Sequence, residues 1–117
     1  MARDALTVTT MPANAELEPI AELTGVAANG IKITPANTDD ILLIEVENTG
    51  AGDLDVTFIT GGGIGGISLE DVVVTVTAGE RRYFRMTLLS LIWIQSDGDI
   101  YIDVEADTDL DFWAYKL

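Results

Sequence analysis

The sequence predicts an all-β domain: an antiparallel β-sandwich or jelly-roll-like fold of about eight strands, with an extended N-terminal arm. Three observations carry this expectation. From Ile41 onward apolar and polar residues alternate with period two, which gives a strand one buried and one wet face. Turn signals rich in Gly, Asn and Asp separate the runs. The chain has 117 residues, the length of a single domain that can bury a self-standing core. Residues 1–20 read as the arm and residues 21–117 as the β-sandwich domain.

Taken in order, Ala5 to Thr10 reads as a short strand that alternates Leu6 and Val8 against Thr7 and Thr9. Pro12, Asn14 and Pro19 then keep the chain extended or turning. Asn29-Gly30 is a hairpin-type turn feeding an edge strand from Ile31 to Thr34, which Pro35 closes. In Ile41 to Asn48, Leu42, Ile44 and Val46 share one face, and Glu45 and Glu47 share the other. A turn at Asn48-Thr49-Gly50-Ala51-Gly52 reverses the chain. Leu54, Val56 and Phe58 then oppose Asp53, Asp55 and Thr57. Val72, Val74 and Val76 repeat the arrangement, and Ala78-Gly79 turns again. Strands are expected over Arg82 to Thr87 and Leu91 to Gln95. Asp97-Gly98 leads into Ile100, Ile102 and Val104, and Leu110, Phe112 and Ala114 end the series. These alternations point to antiparallel sheets packed in pairs.

Composition narrows the function. With no His and no Cys, the chain cannot assemble a Ser-His-Asp triad, a thiol nucleophile, a disulfide or an imidazole or thiolate metal site. An enzyme is not expected, nor a cofactor. The formal charge of −14 opposes binding to nucleic acid and to anionic membrane surfaces. No segment is apolar for the roughly 20 residues that a spanning helix needs, and the N-terminus lacks the apolar stretch of a signal peptide. Aspartate outnumbers glutamate and the only lysines are Lys32 and Lys116. That balance fits a solvated surface kept soluble by self-repulsion. A sharper reading is a protein of high-salt surroundings, where screening quiets crowded carboxylates.

Four motifs bear on chemistry. Gly61-Gly62-Gly63-Ile64-Gly65-Gly66 matches G-x-G-x-x-G literally. A dinucleotide site needs a helix to start there, whereas a Val/Thr run of strand period follows. The segment therefore reads as a loop, or as bare backbone that another chain approaches closely. Asp107, Asp109 and Asp111 alternate, and Asp97-Gly98-Asp99 lies near them in sequence. They form a solvated face or hold a structural cation, although the spacing does not fit an EF-hand loop. Arg81, Arg82 and Arg85 carry half of the six positive charges. They pair with carboxylates across strands, or dock an acidic partner surface. Trp113 and Tyr115 alternate with Phe112 and Ala114. One pair fills the core, and the other finds cover elsewhere, as in an oligomer interface.

The run Val72-Val73-Val74-Thr75-Val76-Thr77-Ala78-Gly79 is followed by an aromatic strand and then by Ile94-Gln95-Ser96-Asp97-Gly98-Asp99-Ile100-Tyr101-Ile102-Asp103. With the opening Met1-Ala2-Arg3-Asp4-Ala5-Leu6-Thr7-Val8-Thr9 and a short last strand ending at Leu117, this order resembles the head decoration, or cement, proteins of tailed viruses of bacteria and archaea. The resemblance implies a compact β-domain, often a homotrimer, clamped over junctions between subunits of the major capsid protein. It implies no catalytic residue, and it places Gly79, Gln95, Asp97 and Gly98 at turns or strand ends. The chain departs from that pattern in its Gly61–Gly66 loop and its acidity, the latter suiting a salt-loving host. On this reading the protein is made in the host cytoplasm and sits on the outer capsid surface of the virion.

The expected contact residues are Ala2, Arg3, Leu6 and Val8 of the arm, Gly61, Gly62, Gly63, Ile64, Gly65 and Gly66 of the loop, and Trp113 with Tyr115. Arg81, Arg82 and Arg85 come second. The arm is included because an extended segment can add a strand to a neighbour's open sheet edge. A different class of function stays open: a carbohydrate- or receptor-binding module of a tail or cell surface. It would use Tyr83, Trp93, Tyr101, Trp113 or Tyr115.

Overall fold

The computed structural model describes residues 3–12, 22–27, 29–35, 41–61, 70–87, 92–105 and 109–117. Among these there is no helix. The strands are β1 (Asp4–Ala5), β2 (Val8–Thr10), β3 (Leu23–Thr24), β4 (Ile31–Ile33), β5 (Ile41–Asn48), β6 (Leu54–Ile59), β7 (Val72–Val76), β8 (Arg81–Thr87), β9 (Ile100–Val104) and β10 (Leu110–Lys116). They form two mixed sheets in a sandwich-like, all-β arrangement. One sheet runs β1-β4-β9-β6-β7, and the other runs β2-β10-β5-β8, with β3 also paired to β10.

The alternation sorts side chains as the sequence expects. Leu42, Ile44 and Val46 of β5, Val56 and Phe58 of β6, Ile100 and Ile102 of β9, and Leu110, Phe112 and Ala114 of β10 are all buried in one core. That core joins the two sheets. The rings of Phe58, from the first sheet, and Phe84, from the second, stack at 4.1 Å between centroids. Trp93 meets both edge-on, at 6.5 and 5.5 Å. Such ring contacts add about 0.5–1.5 kcal/mol each beyond the area they bury.

The turn residues are where expected, but most of them do something other than reverse the chain within a sheet. Among the described strands only β6 and β7 are both consecutive and paired. At Asn48–Gly52 and again at Ala78-Gly79 the chain instead crosses to the opposite sheet. Asn48 knits those two crossings together. It is fully buried, donates from Nδ2 to the carbonyls of Gly52 (2.8 Å) and Val76 (2.9 Å), and accepts from the Gly50 N–H at 2.9 Å. Its own carbonyl accepts from the Gly79 N–H at 2.9 Å. Gly79 has a φ of 76° there, a conformation that costs a residue with a Cβ. Asn29-Gly30 likewise leads from β3 in one sheet to β4 in the other, so it closes no hairpin.

Four further expectations are corrected. Residues 4–10 do not stand off the domain as an arm. β1 pairs in parallel with β4 and β2 in parallel with β10, while Leu6 between them is buried. These ladders make both sheets mixed rather than antiparallel, and they move β4 from an edge to a position between β1 and β9. The stretch expected as a strand over Leu91 to Gln95 is, in its described part, a turn with a single bridge from Ile94 to Ile100. The turn swings Trp93 inward to complete the aromatic cluster.

Candidate binding face

The outward side of the second sheet carries a dense set of aromatic and charged side chains. Register fixes its layout. Across β8, β5 and β10 the rows are Arg81–Glu47–Asp111, Tyr83–Glu45–Trp113 and Arg85–Leu43–Tyr115. Alternation sends these positions outward because Arg82, Phe84 and Met86, Val46, Ile44 and Leu42, and Phe112 and Ala114 take the inner side.

Glu45 lies at the centre of the face and is only 8% exposed, although the alternation assigns it to the wet side. Its cover comes from the flanking strands. Arg81 Nη1 donates to Glu45 Oε2 and closes an ion pair with it. The hydroxyl of Tyr83 donates to Oε2 at 3.4 Å, and that of Tyr115 to Oε1 at 3.5 Å. Arg81 also reaches Glu47 at 3.3 Å and lies 5.3 Å above the centre of the Trp113 ring. A buried carboxylate needs such partners, since an unpaired charge is costly away from water. The hydrogen bond to Glu45 holds the Arg81 guanidinium above its ordinary pKa, with Glu47 acting in the same direction against partial desolvation. Burial first, and then the Glu45 charge, raise the Tyr115 phenol above its ordinary value.

The face therefore combines a rigid, pre-paired centre with exposed contact groups. Tyr83 is 61% exposed. Arg85, also exposed, makes no ion pair among the described residues.

Of the expected contact residues, Arg81, Arg85, Trp113 and Tyr115 come together here. Arg82 points to the other side of β8 and pairs with Glu80 at 2.8 Å. Arg3 belongs to the opposite sheet. It stacks 4.4 Å over Tyr101, pairs with Asp103 at 2.7 Å and donates to the Ile102 carbonyl at 3.0 Å. A Cβ on Gly30 would collide with that guanidinium. Leu6 is core, and Val8 packs against the core. Gly61 is packed so closely that a Cβ would overlap the Ile94 carbonyl, and its N–H donates to Ile92 at 2.6 Å. Ala2, Gly62, Gly63, Ile64, Gly65 and Gly66 lie outside the described residues, as does Asp107.

Three aspartates of the acidic motifs are engaged locally. Asp111 accepts from the Thr24 hydroxyl at 2.8 Å, Asp99 accepts from Thr34 at 2.8 Å, and Asp97 accepts from the Tyr101 hydroxyl. Among the described residues no group of three or more is arranged to hold a metal ion. Of the other aromatic candidates, Trp93 is core and Tyr101 faces out from the first sheet. Leu43, Glu45, Glu47, Tyr83 and Asp111 are the members of the face that contact-residue reasoning misses. The available signal is the outward parity that Glu45 shares with Glu47 and that Tyr83 shares with Arg81 and Arg85.

Comparison with known proteins adds no relative: no family model, no curated protein and no solved structure matches the chain.

Proposed function

We propose that this chain is a virion structural protein, a capsid decoration or cement protein that binds the outer surface of an icosahedral head. It bridges neighbouring copies of the major capsid protein and associates with copies of itself. The observation that carries the reading is the gathering of Arg81, Arg85, Trp113 and Tyr115 on one sheet face, with exposed Tyr83 among them. Protein interfaces are enriched in Trp, Tyr and Arg, and a few such side chains supply most of the binding energy. The action is mechanical. A protein that binds only the joined state of two shell subunits stabilises that state by mass action, and no substrate is transformed. The net charge of −14 suits a shell exposed to concentrated salt, where screening removes most repulsion between copies.

Mass spectrometry of purified virus particles tests this. The chain is expected in the finished particle at a copy number fixed relative to the major capsid protein, and Tyr83→Ala with Trp113→Ala is expected to reduce its occupancy. Absence from finished particles overturns the reading.

A second reading rests on Tyr83, Trp113 and Tyr115 sharing that face: a carbohydrate- or receptor-binding module of a tail or cell surface, using aromatic rings to cover an apolar ligand surface. A glycan array read with and without calcium separates the two. Saturable binding of one glycan, lost in Trp113→Ala, favours this second function.

A further inference from the structure

The edge strands of the two sheets are not protected alike. An edge presents unpaired N–H and C=O groups that template pairing with another chain, and proteins blunt it by shortening the strand or charging it. β1 and β2 are two and three residues long. β8 is longer but carries Arg81, Arg82 and Arg85. β7 has neither protection. Its five residues, Val72–Val76, include no charge, Val72 and Val73 are 37% and 56% exposed, and its only ladder among the described residues is to β6. In a chain of net charge −14, the strand itself sets no like charge against a second copy of β7, whereas two copies of β8 would bring their arginines together.

We propose that β7 pairs antiparallel with β7 of a second copy about a two-fold axis at Val74, making one continuous sheet from two. Centring on Val74 sets Val72 opposite Val76 and Val73 opposite Thr75, so inner-facing residues stay on the inner face in both copies. The next pair outward sets Asp71 opposite Thr77 of the second copy. The Thr77 hydroxyl accepts from Arg82 Nη2 at 3.3 Å. Asp71 Oδ1 accepts from the Thr60 N–H at 2.9 Å and the Thr60 hydroxyl at 3.2 Å within its own chain. The pairing offers its other oxygen to the Arg82 guanidinium of the second copy, which then bridges Asp71 and Glu80, its present partner at 2.8 Å. Symmetry forms this contact twice. Centring on Val73 or Thr75 instead sets Asp71 against Thr75 or Gly79 and loses it. The edge is therefore complementary to itself in shape and in charge. An isologous contact of this kind closes at two copies, in place of the three that the cement-protein resemblance implies.

Sedimentation velocity of the full chain, from micromolar to millimolar, is expected to show a monomer–dimer equilibrium. Val73→Lys, at an exposed position, is expected to weaken the dimer about tenfold or more with unchanged far-ultraviolet circular dichroism. Arg82→Asp is expected to weaken it, and adding Asp71→Arg to restore it. On the unaltered chain, the β7 amides that face away from β6 are expected to exchange hydrogen more slowly as concentration rises. A chain that stays monomeric throughout, or a dimer that Val73→Lys leaves unchanged, overturns the proposal. Failure of the charge swap to restore the dimer overturns the Val74 register.

Discussion

The side-chain amide of Asn48 donates to the Val76 carbonyl at 2.9 Å and so ties the end of β5, in one sheet, to the end of β7, in the other. The same amide nitrogen reaches Gly52, and the side-chain oxygen takes the Gly50 N–H. One residue thereby satisfies backbone groups at both chain crossings on that side of the fold. Asn48→Ala leaves the buried Val76 carbonyl without this donor and frees the less buried groups of Gly50 and Gly52, at a cost of about 1–3 kcal/mol. Urea titration is expected to show a lower midpoint with an unchanged slope. Asn48→Asp is expected to be no better, because it replaces the donor with an acceptor facing two carbonyls. An unchanged midpoint in both variants would show that the crossings are held by other contacts.

Residues 4–10 belong to the folded domain. Leu6→Ala is expected to cost about 2–5 kcal/mol, the range for truncating a buried leucine. Deleting residues 2–10 is expected to cost more, since it also removes both parallel ladders. Thermal melting checks this, and a deletion variant that melts like the intact chain would mean a detachable arm.

The Tyr115 phenol titrates above its ordinary value, and Glu45 is part of the reason. Burial is the largest cause of the raised Tyr115 pKa and the Glu45 charge is the next. Glu45→Gln is therefore expected to lower the pKa, but to leave it above the ordinary 10.0. Because the folded value is raised, the stability that this phenol contributes is complete below the unfolded pKa. It is lost as pH rises through the folded pKa. Ultraviolet difference absorbance of the phenolate, with Tyr115→Phe as the control, reads the shift. A value unmoved by Glu45→Gln would place the carboxylate too far away to act.

Asp97 behaves in the opposite sense. The Tyr101 hydroxyl first, and the Asp99 N–H second, hold its carboxyl below the ordinary 3.8. Its folded pKa being depressed, the stability it contributes is present above the unfolded value and is lost as pH falls through the folded one. Tyr101→Phe is expected to return the Asp97 carboxyl toward the ordinary range in a carbon-13 NMR titration. A carboxyl that keeps its low pKa in that variant would assign the effect to the backbone donor.

The inner faces are legible in the sequence because alternation is local. Leu42, Ile44 and Val46 announce their side with no knowledge of any partner strand. The ladders of β1 and β2 are not legible, since parallel pairing with β4 and β10 involves residues far away in the chain and leaves no turn signal between partners. Turns show a similar divide. Asn48–Gly52 and Ala78-Gly79 read correctly as bends, but a bend does not say which sheet receives the next strand. The binding face is half legible. Outward parity groups Arg81 with Arg85, and Trp113 with Tyr115, yet the burial of Glu45 depends on side chains supplied by β8 and β10.

β10 lies between β5 on one side and β2 and β3 on the other, as β9 lies between β4 and β6. β10 follows β2 by roughly a hundred residues, so during synthesis β2 waits several seconds for its partner. A nascent fragment that stops before Ile100 can pair β1 with β4, β5 with β8 and β6 with β7, but it lacks the two strands that join these pairs and β2 into complete sheets. Chaperone capture, or the company of other nascent chains, is then decided in that interval, before the native topology can close.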